Sequence, residues 1–260
     1  MTDKKSLLQI NSLTKRFGGL TALKNVALSV HEGSFRSIIG PNGAGKTTVF
    51  NVISGLYLPE EGEIWFDGQK ISGTSPAAIA KLGIARTFQH PRNFHDMTVL
   101  DNILISICSK IQYHFLGIGL GIPFLNKIVK DGEEKARELL DFVNLDGKRF
   151  SYANTLSYAD QRKLELARVL ALEPKPKLLL LDEPTSGLNE EETKRFMELV
   201  YKLRQDGLTI IMIEHRISLV LDVSDEILVL NFGEVLADDV PKMVRNNQKV
   251  IDAYLGPQIA

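Results

Sequence analysis

The chain has 260 residues, 44% of them hydrophobic, with 31 Lys+Arg against 32 Asp+Glu. That length holds one large domain or two small ones, and the near-cancelled charge excludes a global electrostatic pull toward nucleic acid or anionic lipid. Cys108, the only cysteine, excludes an intrachain disulfide and makes a reduced, cytosolic setting the expectation.

The opening "MTDKKSLLQINSLTKRF" is charged and has no apolar run of signal-peptide length. "LLQINSL" and "ALKNVALSV" read as strands, and "HEG" at 31–33 as a turn into the strand "SFRSIIG". After Gly45 a helix is predicted through "KTTVFNVISG", closing at Gly55. "GEIWFDGQKI" returns to strand character, and "SPAAIAKLG" has an N-cap, a first-turn proline and a closing glycine. From about Met97 to Leu172 the strand signals vanish, and "DGEEKARELLDFVNL" and "SYADQRKLELARVLAL" are amphipathic helices. The longest apolar run, "FLGIGLGIPFL" at 115–125, is about half of a membrane span. Alternation then resumes: "KLLLLD" strand, "NEEETKRFMELVYKLRQDG" helix, "LTIIMIE" strand, "HRISLVLDVS" helix, "EILVL" strand. A last helix is predicted over much of "VPKMVRNNQKVIDAYLG". Near-continuous apolar strands alternating with helices predict a parallel sheet covered on both faces. The expected organisation is one domain over 1–260: an α/β core of 1–96 and 173–240, an inserted helical part at 97–172, and a C-terminal helix and tail at 241–260.

"GPNGAGKT" (Gly40 to Thr47) fits G-x-x-x-x-G-K-[ST] between a predicted strand and a predicted helix, which is the context this motif requires. Its glycines let backbone N–H groups wrap a phosphate without Cβ interference. Lys46 brings a positive charge to the outer phosphates, and the Thr47 hydroxyl is a ligand type for Mg²⁺. The motif predicts a nucleoside triphosphate site. "LLLLDEP" (178–184) delivers Asp182 to the end of a buried strand, where it is expected to hold Mg²⁺, and Glu183 next to it is placed to polarise water against the γ-phosphate. "NKIV" at 126–129 lacks the aspartate of a guanine-reading motif, so adenine, and hence ATP, is the expected nucleotide.

"LSYADQ" (156–161) opens a helix with Ser157 and Asp160 spaced as an N-cap and its third helical residue. Two readings stay open on these residues alone: an ordinary capped helix, or an anion site made by unpaired first-turn amides.

The order Gly-rich loop, Gln89, LSYADQ, LLLLDEP, His215 resembles the ATP-binding subunits of ABC transporters over nearly the whole chain. The resemblance implies an α/β P-loop NTPase core with an N-terminal antiparallel β part and an inserted helical subdomain. It also implies a head-to-tail pair of ATPase subunits, in which the helix start at Ser157 and Ala159 meets the γ-phosphate on the partner's loop. By the same resemblance Phe17 stacks on adenine, and Gly40, Asn42, Gly43, Ala44, Gly45, Lys46, Thr47 and Thr48 bind nucleotide. Gln89 contacts the Mg²⁺ and water region, His215 senses the γ-phosphate beside the catalytic Glu183, and "SGLN" (186–189) is where the subunits touch. The family's usual LSGGQ is altered here at Tyr158, Ala159 and Asp160. The added methyl and the added negative charge imply a weaker composite site.

"GGLTAL" (18–23), "GIARTFQ" (83–89), the extra segment around 110–130, "LSYADQRKLELAR" and "RNNQKVIDAYLG" (245–256) resemble the ATPases of branched-chain (hydrophobic) amino-acid importers. That kinship implies a second ATPase, two membrane permease subunits and an external substrate-binding protein as partners, no nucleic acid, and a place on the cytoplasmic face of the membrane. Two other classes are weighed: a soluble ABC-type ATPase acting on ribosomes or DNA, which the neutral charge opposes, and a low-turnover regulatory subunit, which the altered signature favours.

Overall fold

The protein is described by a computed structural model over residues 5–108 and 122–255. In chain order the elements are β1 (Ser6–Phe17), β2 (Leu20–His31), β3 (Phe35–Ile39), α1 (Lys46–Ile53), β4 (Glu61–Phe66), β5 (Gln69–Lys70), α2 (Pro76–Lys81) and β6 (Ile84–Arg86). There follow α3 (Val99–Cys108), α4 (Ile122–Phe142), α5 (Tyr158–Leu170), β7 (Leu178–Asp182), α6 (Glu190–Gln205) and β8 (Thr209–Ile213). The chain continues through α7 (Ile217–Val223), β9 (Glu226–Asn231), β10 (Glu234–Asp239), α8 (Pro241–Arg245) and α9 (Gln248–Leu255). They fall into two compact units.

The first unit comprises residues up to Arg86, Lys177–Pro184 and Lys202 onward. It holds two sheets. The antiparallel one has the order β2-β1-β4-β5, with Leu8, Ile10, Val26, Leu28, Ile64 and Phe66 among its buried residues. The other has the order β10-β9-β3-β8-β7-β6, and its strands from β9 to β6 run parallel. β3, β7 and β8 are buried at every position, as strands covered on both faces must be. The loops after β3, β7 and β8 therefore emerge side by side at one end of the sheet, where open α/β sheets bind ligands.

The strand character of "GEIWFDGQKI" takes the form of a hairpin, because Asp67 and Gly68 both take positive φ (48° and 79°), the two-residue turn that reverses a twisted ribbon. Two expectations are corrected in this unit. The parallel sheet ends in an antiparallel edge: Phe232 and Gly233, with φ of 46° and 79°, turn β9 back into β10. The single C-terminal helix is two, because the Asn247 side chain accepts the Lys249 N–H at 3.0 Å and starts α9 afresh.

The second unit comprises Thr87–Pro176 and Thr185–Tyr201. Helices α3, α4 and α5 pack together over Val99, Ile103, Ala136, Leu140, Leu164, Leu166 and Ala167, all buried. It reaches ten residues further toward the N-terminus than the helical pattern suggests, since 87–96 is irregular backbone held by α5. Of the apolar run at 115–125, residues 115–121 lie outside the described residues. No described helix is long and apolar enough to cross a membrane.

Candidate nucleotide site

The loop between β3 and α1 is shaped by glycines that no other residue could replace. Gly40 has φ 153°, and a Cβ there would lie 2.2 Å from the Leu230 carbonyl oxygen. Gly45 has φ 99° and would meet the Ala22 carbonyl at 2.7 Å. The loop is further pinned from the β9–β10 turn, whose Gly233 N–H donates to the Ala44 carbonyl at 3.1 Å. Lys46 is buried, and its ammonium donates to the carbonyls of Gly40 (2.7 Å) and Pro41 (3.0 Å), so it is held across the mouth of its own loop. Burial draws its pKa below the ordinary lysine value, against the opposing charges of Glu183 and Asp182.

Those carboxylates come from the end of β7. Asp182 is buried and ion-paired with Arg86 at 2.8 Å; the same guanidinium donates to Asn51 Oδ1 and Ser54 Oγ of α1 and its cap. Glu183 has φ 47°, a left-handed backbone that costs a non-glycine residue about 1–2 kcal/mol. Its N–H donates to the Ile213 carbonyl at 3.0 Å, which fixes the turn. The side chain then meets His215, whose Nε2 lies 2.8 Å from Glu183 Oε1, so Nε2 carries the proton of that bond.

A cleft of about 470 Å³ gathers these parts. Asn42, Gly43, Ala44, Gly45, Lys46, Thr47 and Thr48 form its floor, Glu183 and His215 one wall, and Phe17 another. Phe17 is 41% exposed and packs edge-on against Tyr57 with centroids 5.1 Å apart, presenting an aromatic surface beside the phosphate loop. Gly40 and Asp182 are not among its lining residues.

Ser157, Ala159 and Gln89 belong to the second unit. Ser157 caps α5, its hydroxyl accepting the Asp160 N–H at 3.2 Å. The capping box is one-sided, because the Asp160 carboxylate turns to Lys148 (2.6 Å) and Lys163 (3.0 Å) instead. Burial, the largest influence on Asp160, pushes its pKa up; the two lysines together outweigh it and leave the pKa below the ordinary value. The negative charge in the altered signature is thus offset within its own unit. Gln89 is anchored through its backbone carbonyl, which accepts from Arg162.

The chain matches the family described as ABC transporter over residues 23–186, and residues 234–256 match that described as branched-chain amino acid ATP-binding cassette transporter. It belongs to the ABC transporter ATPase family. It is 42% identical to the high-affinity branched-chain amino acid transport ATP-binding protein BraF of Pseudomonas aeruginosa, over 97% of this chain and 98% of that one. It is equally similar to LivG of Escherichia coli, which carries the same description, over 96% and 98%. Among solved structures it resembles the ADP conformation of an ABC-transporter ATP-binding cassette (TM-score 0.83, 31% identity, 97% of this chain and 99% of that one). A dimeric bacterial ABC cassette is similar at a TM-score of 0.76 and 29% identity, over 90% and 99%. The protein is an ATP-binding ATPase subunit with the P-loop cassette fold of the family.

Two residues of this ABC ATPase escaped the sequence reading. Tyr254, in the family-matching C-terminal segment, lines an apolar cleft with Ile39 at the end of β3, and burial pushes its hydroxyl up to about 12. Helix α9 thereby lies beside the strand that delivers the phosphate loop. Its signal was an aromatic in an amphipathic last helix, which does not by itself distinguish this contact from core packing. The other is Glu165, buried on α5, whose carboxylate accepts the N–H groups of Phe88 (3.1 Å) and Arg92 (3.4 Å). Burial raises its pKa to about 7, against those amides and against Arg162 and Arg168. A charged residue flanked by the buried Leu164 and Leu166 was the available clue.

Glu165 predicts a pH effect. Its folded pKa lies above the ordinary carboxylate value, so its contribution to stability is complete below about pH 4.5 and is lost as pH rises through about 7. Glu165→Gln keeps an acceptor for the two amides and cannot ionise. Denaturant unfolding should show the variant gaining on the wild type between pH 5 and 8, by up to roughly 3 kcal/mol. A difference that stays flat over that range contradicts the assignment.

Proposed function

We propose that this ATPase powers import of branched-chain or other hydrophobic amino acids through two membrane permease subunits, at the cytoplasmic face of the cell membrane. The observation that carries the reading is similarity along the whole chain, ending in the branched-chain family match at 234–256. A second ATPase pairs with it head to tail, and a substrate-binding protein acts outside.

Within that reading, ATP lies in the cleft, with adenine on Phe17 and phosphates on the loop from Gly40 to Thr48. Glu183 takes a proton from the attacking water while His215, hydrogen-bonded to it, orients its carboxylate. Thr47 and Asp182 of the first unit would hold Mg²⁺ through oxygen, the donor type that hard cation prefers, and by resemblance Gln89 of the second unit would be a further donor. The chemistry a bound Mg²⁺ would supply there is neutralisation of the phosphate charge. Ser157 and Ala159 face the γ-phosphate of the partner subunit. ATP makes contact with both subunits only when they are closed, so its binding favours closure and its hydrolysis releases it. With Asp160 offset by Lys148 and Lys163, and Ala159 buried in its own unit, the added charge is offset and the added methyl is largely withdrawn from the surface.

The test is to tag the protein, purify it from gently solubilised native membranes and identify what accompanies it. Two multi-span proteins and a second ATPase are expected. Ribosomal or DNA-repair proteins with no membrane subunit would defeat the transport assignment.

A further inference from the structure

Tyr158 stands where the family's usual signature has glycine, and its ring has two neighbours. One is Gly187, in the "SGLN" loop: a Cβ added there would lie 2.9 Å from Tyr158 Cε1. Gly187 has φ 79°, so only glycine gives both the backbone turn and the close approach of the ring. That loop is closed by the Leu188 N–H donating to the Thr185 carbonyl at 3.2 Å. One helical turn along α5, the Arg162 guanidinium lies over the Tyr158 ring with its carbon 5.2 Å from the centroid.

Arg162 is almost wholly buried and does more than stack. Its Nη1 donates to the Phe88 carbonyl at 2.8 Å and its Nη2 to the Gln89 carbonyl. A planar guanidinium can bond two successive carbonyls and stack on a ring at once; an ammonium cannot. Tyr158, Gly187, Arg162, Phe88 and Gln89 all belong to the second compact unit.

We infer that Tyr158 and Arg162 are positioning residues that brace the Gln89 loop, the start of α5 and the 186–189 loop into one body, so that the three respond together to nucleotide. Their functional meaning rests on the reading of these loops as the surfaces offered to the partner subunit and its ATP. The brace itself does not, and it can be tested in the purified chain without any membrane subunit.

Amide hydrogen exchange should be measured on the wild type and on Tyr158→Ala, Tyr158→Phe and Arg162→Lys. Losing a partly exposed cation–π and ring contact should speed exchange in Tyr158→Ala by roughly 5- to 20-fold, both in peptides spanning 87–92 and in those spanning 185–189. Peptides spanning the 40–48 loop should keep their rates. Tyr158→Phe, which retains the ring, should match the wild type, and Arg162→Lys should loosen both loops as Tyr158→Ala does. In steady-state hydrolysis Tyr158→Ala should lose kcat about tenfold with KM for ATP unchanged within about twofold. Loosening of one loop alone in either variant, or equal behaviour of Tyr158→Ala and Tyr158→Phe, would overturn the inference. Unchanged exchange in Tyr158→Ala overturns the brace whatever the co-purification gives, whereas both loops loosened with a failed co-purification defeats the transport reading alone.

Discussion

Glu183→Gln is expected to reduce ATP hydrolysis by roughly 10²- to 10⁴-fold, the usual contribution of a positioned general base, while leaving nucleotide binding in place. The geometry makes the two effects separable. Glutamine keeps an Oε1 that can accept the His215 Nε2–H now 2.8 Å from the Glu183 carboxylate, and it adopts the same left-handed backbone at the same cost. What it removes is the basic oxygen. On the proposed reading binding depends instead on the phosphate loop, Lys46 and Phe17; the substitution breaks no hydrogen bond of Lys46, although it removes one of the two negative charges that act on it. Phosphate release should therefore collapse while a fluorescent ATP analogue still titrates with an affinity near that of the wild type. Hydrolysis within tenfold of normal would remove Glu183 from the role of base. Loss of binding as well would mean that the carboxylate helps to shape the cleft rather than acting on water.

How much of this was legible beforehand depends on how local the cause is. The phosphate loop was readable because each glycine answers to a local backbone demand: Gly40, Gly43 and Gly45 all have positive φ. The apolar runs at 178–182 and 209–213 were readable for a similar reason, since a strand buried on both faces needs no alternation. Contacts made across the fold were not. Nothing in "LSYADQ" announces that Lys148, twelve residues back, will neutralise Asp160, because that depends on where the turn before α5 places an ammonium. Gly233 reads as an ordinary hairpin glycine, yet a Cβ there would lie 2.6 Å from the Ala22 carbonyl, and its N–H holds the phosphate loop. The split of the last helix was available in principle from Asn246-Asn247, but amphipathic periodicity on both sides outweighed it. Local capping prevailed there because α8 and α9 are short, so little helix continuity is lost by restarting at Asn247.

The largest stability effect is expected at Arg86, which the sequence offered only as part of "GIARTFQ". Its guanidinium joins β6 to the end of β7 through Asp182 and to α1 through Asn51 and Ser54, and it also lies over the Phe50 ring at 5.5 Å. Both ends of the ion pair are nearly dry, with side chains 7% and 5% exposed. A methionine at 86 fills most of the space but strips a buried carboxylate of its cation. Breaking one side of such a pair typically costs about 3–5 kcal/mol, far more than the pair contributes against an apolar replacement of both partners. Arg86→Met should therefore lower the urea midpoint strongly. Arg86→Met combined with Asp182→Asn should recover much of the loss, because the remaining amide has no charge to desolvate. Urea unfolding of the two single variants and the double variant gives the coupling directly. If the double variant is no more stable than Arg86→Met, the cost lies in the lost bonds to Asn51 and Ser54. The carboxylate would then be held by other groups, and the positioning of Asp182 at the end of β7 would not depend on Arg86.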